Sequence, residues 1–165
     1  MDPIFGGGQA DYFSLYYGIS TRINVNNPCV GDRTFSTTAL TPGTWYHMAM
    51  VRVGDLITCY VNGNSVGTTN CTGTFLNSLS TVYIGKNTWR GGYLNAYITN
   101  MRYVVGTAVY TSNFTPPSQA LTPIAGTKLL MLAESADNPF KDSSPNNITI
   151  TPYGSPVFTL RNGPF

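Results

Sequence analysis

Few residues in this chain have the chemistry for catalysis. Glu134 is the only glutamate, His47 the only histidine, and the aspartates Asp2, Asp11, Asp32, Asp55, Asp137 and Asp142 are scattered. Cleaving a glycosidic bond takes two carboxyl groups that flank it, one as acid and one as nucleophile or base. Asp137 and Asp142 follow Glu134, but in Ala-Asp-Asn-Pro and Lys-Asp-Ser-Ser contexts where an aspartate serves its own turn. Any Ser-His-Asp or Cys-His arrangement would have to use His47. It lies inside an apolar, aromatic strand and reads as a half-buried imidazole tied to a neighbouring strand. No catalytic residue is expected, and one histidine cannot make a histidine-based metal site. Cys29, Cys59 and Cys71 lack Cys-x-x-Cys spacing, so they do not announce zinc. Cys59 reads as a small buried hydrophobe. A bridge between Cys29 and Cys71, both in turn-like segments, stays open.

Aromatic residues are the functional signal. Eleven tyrosines and two tryptophans are more than one core requires. In Thr88-Trp89-Arg90-Gly91-Gly92-Tyr93 a tryptophan stands between a polar strand end and a Gly-Gly loop, which places it at the surface beside Arg90 and Tyr93. Such a group suits a sugar ring or a protein partner. The alternative is a rim tryptophan that covers the end of the core.

The elements that must hold these residues are strands. Charged residues make up 10 % of the chain against about 25 % in ordinary domains. The remainder is rich in Thr, Asn, Gly and Tyr, which favours sheets joined by turns, with almost no helix. At 165 residues the chain is the size of one domain. A net charge of +2 without a Lys or Arg run gives no footprint for nucleic acid. No apolar stretch approaches the roughly 20 residues that cross a bilayer, so membrane insertion is not expected. A basic and apolar leader is also missing from the N-terminal residues, so export by signal peptide is not expected.

The organising stretch runs from Thr44 to Val66. Trp45 to Val53 is apolar on both alternating sets, so neither face is simply wet, and Gly54-Asp55 supplies a tight reversal. Leu56 to Val61 returns with Ile57, Cys59 and Val61 on one face. Asn62-Gly63 is the pair a type I′ hairpin selects. Trp45, His47, Asn62 and Gly63 are therefore structural residues of a meander. Strands are also expected at Tyr12 to Tyr17, Thr21 to Val25, Gly31 to Leu40, Val82 to Gly85, Leu94 to Val105 and from Thr127. Met1 to Gly8, ending in three glycines, reads as a flexible arm, and Gly67 to Gly73 as loop.

Trp45-Tyr46-His47, the hydrophobic strand, the Gly-Asp turn and Cys59-Tyr60-Val61-Asn62-Gly63 resemble the central hairpin of laminin-G-like, concanavalin-A-like jelly rolls. Val82 to Gly85, Gly92 to Arg102, and the spaced Gly106-Thr107, Tyr110-Thr111, Phe114, Pro116-Pro117 run resemble versions of this domain in tailed-bacteriophage virion proteins. The resemblance implies an all-β antiparallel sandwich over 1–165. It also implies a non-enzymatic virion structural protein, an exposed appendage or capsid-decorating domain. The partners would be other virion proteins and copies of itself, with host-surface polysaccharide as a lectin-like ligand. The location would be the virion surface, after synthesis in the host cytoplasm. A non-viral carbohydrate-binding adhesion module is the alternative, and a glycan-cleaving enzyme a third.

The β-glucanase branch carries Glu-x-Asp-x-x-Glu, which this chain lacks. Some relatives bind Ca²⁺ through rim aspartates. The aspartates here are isolated, so no cofactor is expected, with Asp32 and Asp55 as turn residues unless they hold Ca²⁺. Residues 127–165, with Lys128 to Ala133, Asp142 to Ile150 and Gly154 to Phe158, resemble the opening strands of the domain, displaced to the end. Either the sandwich is permuted, or a neighbouring chain or a longer parent supplies the rest. If it is permuted, Leu130/Leu132 and Ile148/Ile150 should be buried against the organising hairpin.

Overall fold

The computed structural model describes residues 2–7, 14–17, 22–27, 31–36, 40–72, 82–87, 92–159 and 163–164. Among them there are strands and no helix: β1 (Asp2–Gly7), β2 (Ser14–Tyr17), β3 (Arg22–Asn27), β4 (Gly31–Ser36), β5 (Met48–Val53), β6 (Leu56–Val61), β7 (Asn64–Asn70), β8 (Val82–Ile84), β9 (Lys86–Asn87), β10 (Gly92–Tyr93), β11 (Met101–Val104) and β12 (Thr127–Met131). All the strand pairs are antiparallel. The chain divides into two compact units, Met1–Ala96 with Tyr110–Thr115, and Tyr97–Val109 with Pro116–Phe165.

The first unit holds a five-stranded sheet in the order β4-β3-β2-β1-β8, a three-stranded sheet β5-β6-β7 and the two-stranded β9-β10. Its core follows the alternation of β6. Ile57 and Cys59 are fully buried and Val61 nearly so, clustered with Phe35 and Cys71 and flanked by Met48, Met50 and Val66. Ile57 alone contributes about 1.5–3 kcal/mol of hydrophobic stabilisation. Tyr60, on the opposite face of β6, is buried as well. That accounts for a strand pair apolar on both faces.

The turns match their residues. Asn62 and Gly63 both have positive φ, 48° and 77°, as the I′ turn between β6 and β7 requires. Gly67 on β7 has no alternative, because a Cβ there would collide with the Phe35 ring. At this point β7 also carries a register shift opposite Cys59/Tyr60. Arg52 closes the other end of the meander. Its guanidinium donates to the Gly54 carbonyl at 2.8 Å and the Cys71 carbonyl at 3.1 Å, and sits 3.5 Å from the Asp55 carboxylate.

The second unit is built on the β11-β12 pair, with Leu130 fully buried and Met131 nearly so. Asp142 forms an isolated bridge with Met131.

Several expectations are corrected. Residues 2–7 are not an arm but β1, inserted between β2 and β8, where pairing on both sides offsets the weakness of Gly6 and Gly7 as strand residues. Residues Gly67 to Asn70, expected as loop, continue β7 because they pair with Leu56 to Cys59. The long strand expected over Leu94–Val105 is shortened to Met101–Val104 by Asn100, which takes φ = 53°. Ile148 is 50 % exposed and residues 148–158 form no strand, so this apolar alternation does not mark a buried element. Within the second unit Leu130 is buried, whereas Leu132 is only half-buried.

Candidate glycan-contact surface

Of the expected contact residues, the structure describes Tyr93, on the second strand of the β9-β10 pair. Tyr93 lies directly opposite Lys86, and the Leu94 amide donates to the Gly85 carbonyl at 2.8 Å, extending the pairing by a step. Lys86 Nζ sits 5.8 Å from the Tyr93 ring centroid and 5.2 Å from that of Tyr83. An ammonium shared between two rings contributes about 0.5–1 kcal/mol at an exposed site and biases the orientation of both. Tyr93 nevertheless stays 58 % exposed, an aromatic face open to solvent beside the Lys86 ammonium. The four residues that join β9 to β10 include Trp89 and Arg90, which lie outside the described residues. Lys86 was missed from sequence, although its position directly across a hairpin from Tyr93 is the available signal.

His47 belongs to an aromatic cluster. Its ring lies edge-on to Tyr110 at 5.9 Å and to Phe114 at 5.3 Å, while Tyr110 and Phe114 stack at 3.5 Å and Phe114 meets Tyr60 at 5.4 Å. Asn62 ties His47 down. The His47 amide donates to Asn62 Oδ1 at 2.9 Å and the Asn62 amide to the His47 carbonyl at 2.8 Å. Segment Tyr110–Thr115 is pinned in turn by Phe114 N–H to the Gly63 carbonyl and Ser65 N–H to Asn113 Oδ1, both at 2.9 Å. Trp45 lies at the margin, 36 % exposed. His47, Asn62 and Gly63 thus join the meander to the Tyr110–Thr115 segment, His47 through ring edges and backbone bonds.

The described carboxylates of the second unit differ in surroundings. Glu134 and Asp137 are exposed, whereas Asp142 is buried. Its Oδ1 accepts from Leu130 N–H at 2.9 Å and Ser144 N–H at 2.8 Å, and its Oδ2 from Ile148 N–H and the Ser144 hydroxyl, each at 2.8 Å. Burial alone would raise its pKa, but the three backbone N–H groups and the hydroxyl outweigh it and hold the carboxyl below its ordinary value. This carboxylate fastens the 142–148 loop to β12. Expected as an ordinary turn residue, Asp142 has a larger role, which the Asp-Ser-Ser-Pro-Asn spacing signals.

No group of three or more His, Cys, Asp or Glu side chains converges as a metal site among the described residues. Asp55 serves a turn, paired with Arg52. The side chain of Asp32 lies outside the described residues. Cys59 is a free, buried thiol pushed up to about 12 by burial. Cys71 is disulfide-bonded. Cys29, the partner considered from sequence, lies outside the described residues.

The model of the concanavalin A-like lectin/glucanases superfamily, in its laminin-G-like form, matches residues 2–127. The chain belongs to this superfamily. The matched span takes in the five-stranded sheet, the β5-β6-β7 meander and the β9-β10 hairpin. Concanavalin A-like character thus agrees with the all-β, antiparallel architecture. The chain is also similar to the crystal structure of an S-layer domain-containing protein from Clostridium thermocellum. The two are 30 % identical with a TM-score of 0.29, over 73 % of this chain and 58 % of that one. The chain therefore spans less than two thirds of that relative's length. No curated protein matches it.

Proposed function

We propose that the chain is a non-catalytic, surface-displayed recognition module that holds sugar rings against the aromatic residues of the β9-β10 hairpin. The observation that supports it is Tyr93, exposed yet oriented by Lys86, at the root of a connection containing Trp89 and Arg90. Aromatic faces stack on pyranose rings, and a ring whose orientation is already biased loses less freedom on binding. Catalysis is not part of the proposal. The sole glutamate is exposed, and the one buried carboxylate described is committed to four donors. No cofactor is proposed.

The setting is proposed as an extracytoplasmic surface, since the Cys71 disulfide suits an oxidising compartment. A virion appendage, with copies of itself and other virion proteins as partners, is a second setting. It rests on the resemblance of Gly106 to Pro117. In that run Tyr110 and Phe114 pack on the hairpin residues His47 and Tyr60, so the run serves folding whatever the setting.

A glycan array tests the function. Wild-type protein should be retained by at least one glycan class, and Trp89→Ala and Tyr93→Ala should each lose at least about tenfold in apparent affinity, as hot-spot aromatics do. Retention unchanged in both variants would remove the hairpin from the account. Proteomics of purified phage particles decides between the settings, because a virion component must be present in them.

A further inference from the structure

β5 lies at an edge of the sheet β5-β6-β7, and among the described residues it pairs with β6 alone. The turn tells which of its residues look outward. Gly54 and Asp55 alone join β5 to β6, so Val53 and Leu56 form the closing hydrogen-bonded pair, and Val53, Val51 and Ala49 aim their backbone groups at β6. The His47 carbonyl, next in that row, accepts from the Asn62 amide at 2.8 Å, as this alternation requires. Met48, Met50 and Arg52 therefore aim theirs outward, and no hydrogen bond between described backbone groups takes up those of Met48 or Met50. Sheet edges are usually blunted, because an open row of N–H and C=O groups pairs with other chains. At the opposite edge, the Ser65 N–H of β7 is taken by Asn113 Oδ1 at 2.9 Å. β5 carries no proline or lysine, and its register with β6 runs without a bulge. Its one charge, on Arg52, is folded back onto the Gly54 and Cys71 carbonyls and the Asp55 carboxylate. What stands at the edge is half-buried and apolar on both faces, with Met48 and Met50 on the core side and Ala49 and Val51 on the other.

We infer that the outer edge of β5 is an interface for a second copy of this chain, whose own β5 adds antiparallel across a two-fold axis and continues the sheet. An incoming strand has to be apolar on both faces and bring no charge against the edge, and β5 itself meets both conditions. Residues directly opposite in an antiparallel pair point to the same face, so the axis must pass through a residue rather than between two. Centred on Met50, the pairing sets Met50 against its own equivalent and exchanges backbone hydrogen bonds between these two outward-facing residues. Ala49 then lies opposite Val51 of the second copy, and Arg52 opposite Met48, so that no like charges face each other. The apolar stripe of Met48 and Met50, which flanks the Ile57-Cys59-Val61 cluster, runs on across the axis. Such a contact is isologous and closed, which makes a dimer rather than a fibre. It uses no residue of the β9-β10 hairpin, so it stands or falls independently of the glycan contact proposed above.

The test is sedimentation velocity of the whole chain from about 1 to about 100 µM, over which a monomer–dimer equilibrium shifts by mass action. Dimer should accumulate with concentration. Val51→Lys brings two lysines close to each other across the axis, where like charges oppose pairing, and should weaken self-association at least about tenfold. Cysteine cross-linking reads the register and does not depend on that variant folding. Met50→Cys places two thiols on the axis in a hydrogen-bonded pair, with Cα atoms about 5.5 Å apart, within reach of a disulfide. It should yield a covalent dimer under mild oxidation on a non-reducing gel. Val53→Cys, which sets the two thiols apart along the paired strands, should stay monomeric on the same gel. The inference is overturned if the wild-type chain is monomeric throughout, or if Val51→Lys associates as wild type does. Cross-linking of Val53→Cys as readily as Met50→Cys would overturn it as well.

Discussion

Asp142 shows how much one side chain can organise. Its carboxylate accepts four hydrogen bonds, three of them from backbone N–H groups at both ends of a loop. Because its folded pKa lies below the ordinary 3.8, the stabilisation is complete above that value and is lost as pH falls through the lower native one. Stability measured by denaturant should therefore be flat from neutral pH down to about pH 5 and decline below about pH 4. Asp142→Asn should cost about 2–4 kcal/mol at neutral pH, since the amide turns a donor toward a buried N–H, and the acid decline should become shallower. An unchanged acid profile in Asp142→Asn would contradict this role. Cys59 makes a second claim at this scale. A thiol pushed up to about 12 and fully buried is almost entirely protonated at pH 8. Iodoacetamide should leave it unmodified in the native protein and alkylate it in denaturant, as intact mass will show. Rapid labelling of the native chain would refute its burial.

Elements were legible where local chemistry and burial agree. The β5-β6-β7 meander, its buried Ile57-Cys59-Val61 face and its Asn62-Gly63 turn follow from alternation and turn chemistry alone, and the structure reproduces them. Elements decided by distant partners were not legible. Nothing local in Asp2–Gly7 announces a strand, and β1 exists because β2 and β8 pair with it. Asn100 ended a strand that its apolar neighbours promised, since its Oδ1 accepts from Leu121 N–H and its backbone takes the left-handed conformation. The candidate surface divides in the same way. Tyr93 could be picked out by its loop context, whereas Lys86 depended on cross-strand register. The Tyr110–Thr115 segment gives a prediction at this scale. Phe114→Ala removes contacts with His47, Tyr60 and Tyr110 and should cost about 2–3 kcal/mol, less than a fully buried phenylalanine because the ring is half-buried. Thermal unfolding followed at the tyrosines should show a single lowered transition, and an unchanged midpoint would mean that the segment does not hold the meander.

At the scale of the whole molecule, this concanavalin A-like domain is proposed to recognise glycans through its exposed aromatics. The Cys71 disulfide belongs to this scale because it bears on where the molecule works. The denatured, unreduced chain should show one free thiol of its three cysteines, and three free thiols would argue for a reducing compartment. The most direct test is to incubate the intact chain with a panel of neutral and acidic polysaccharides, measuring in the same samples both its retention and the release of reducing ends. Retention by at least one polysaccharide, with no reducing ends above the protein-free control, is the predicted result. Reducing-end release that Glu134→Gln abolishes, or no retention on any polysaccharide, would contradict a non-catalytic glycan-recognition module.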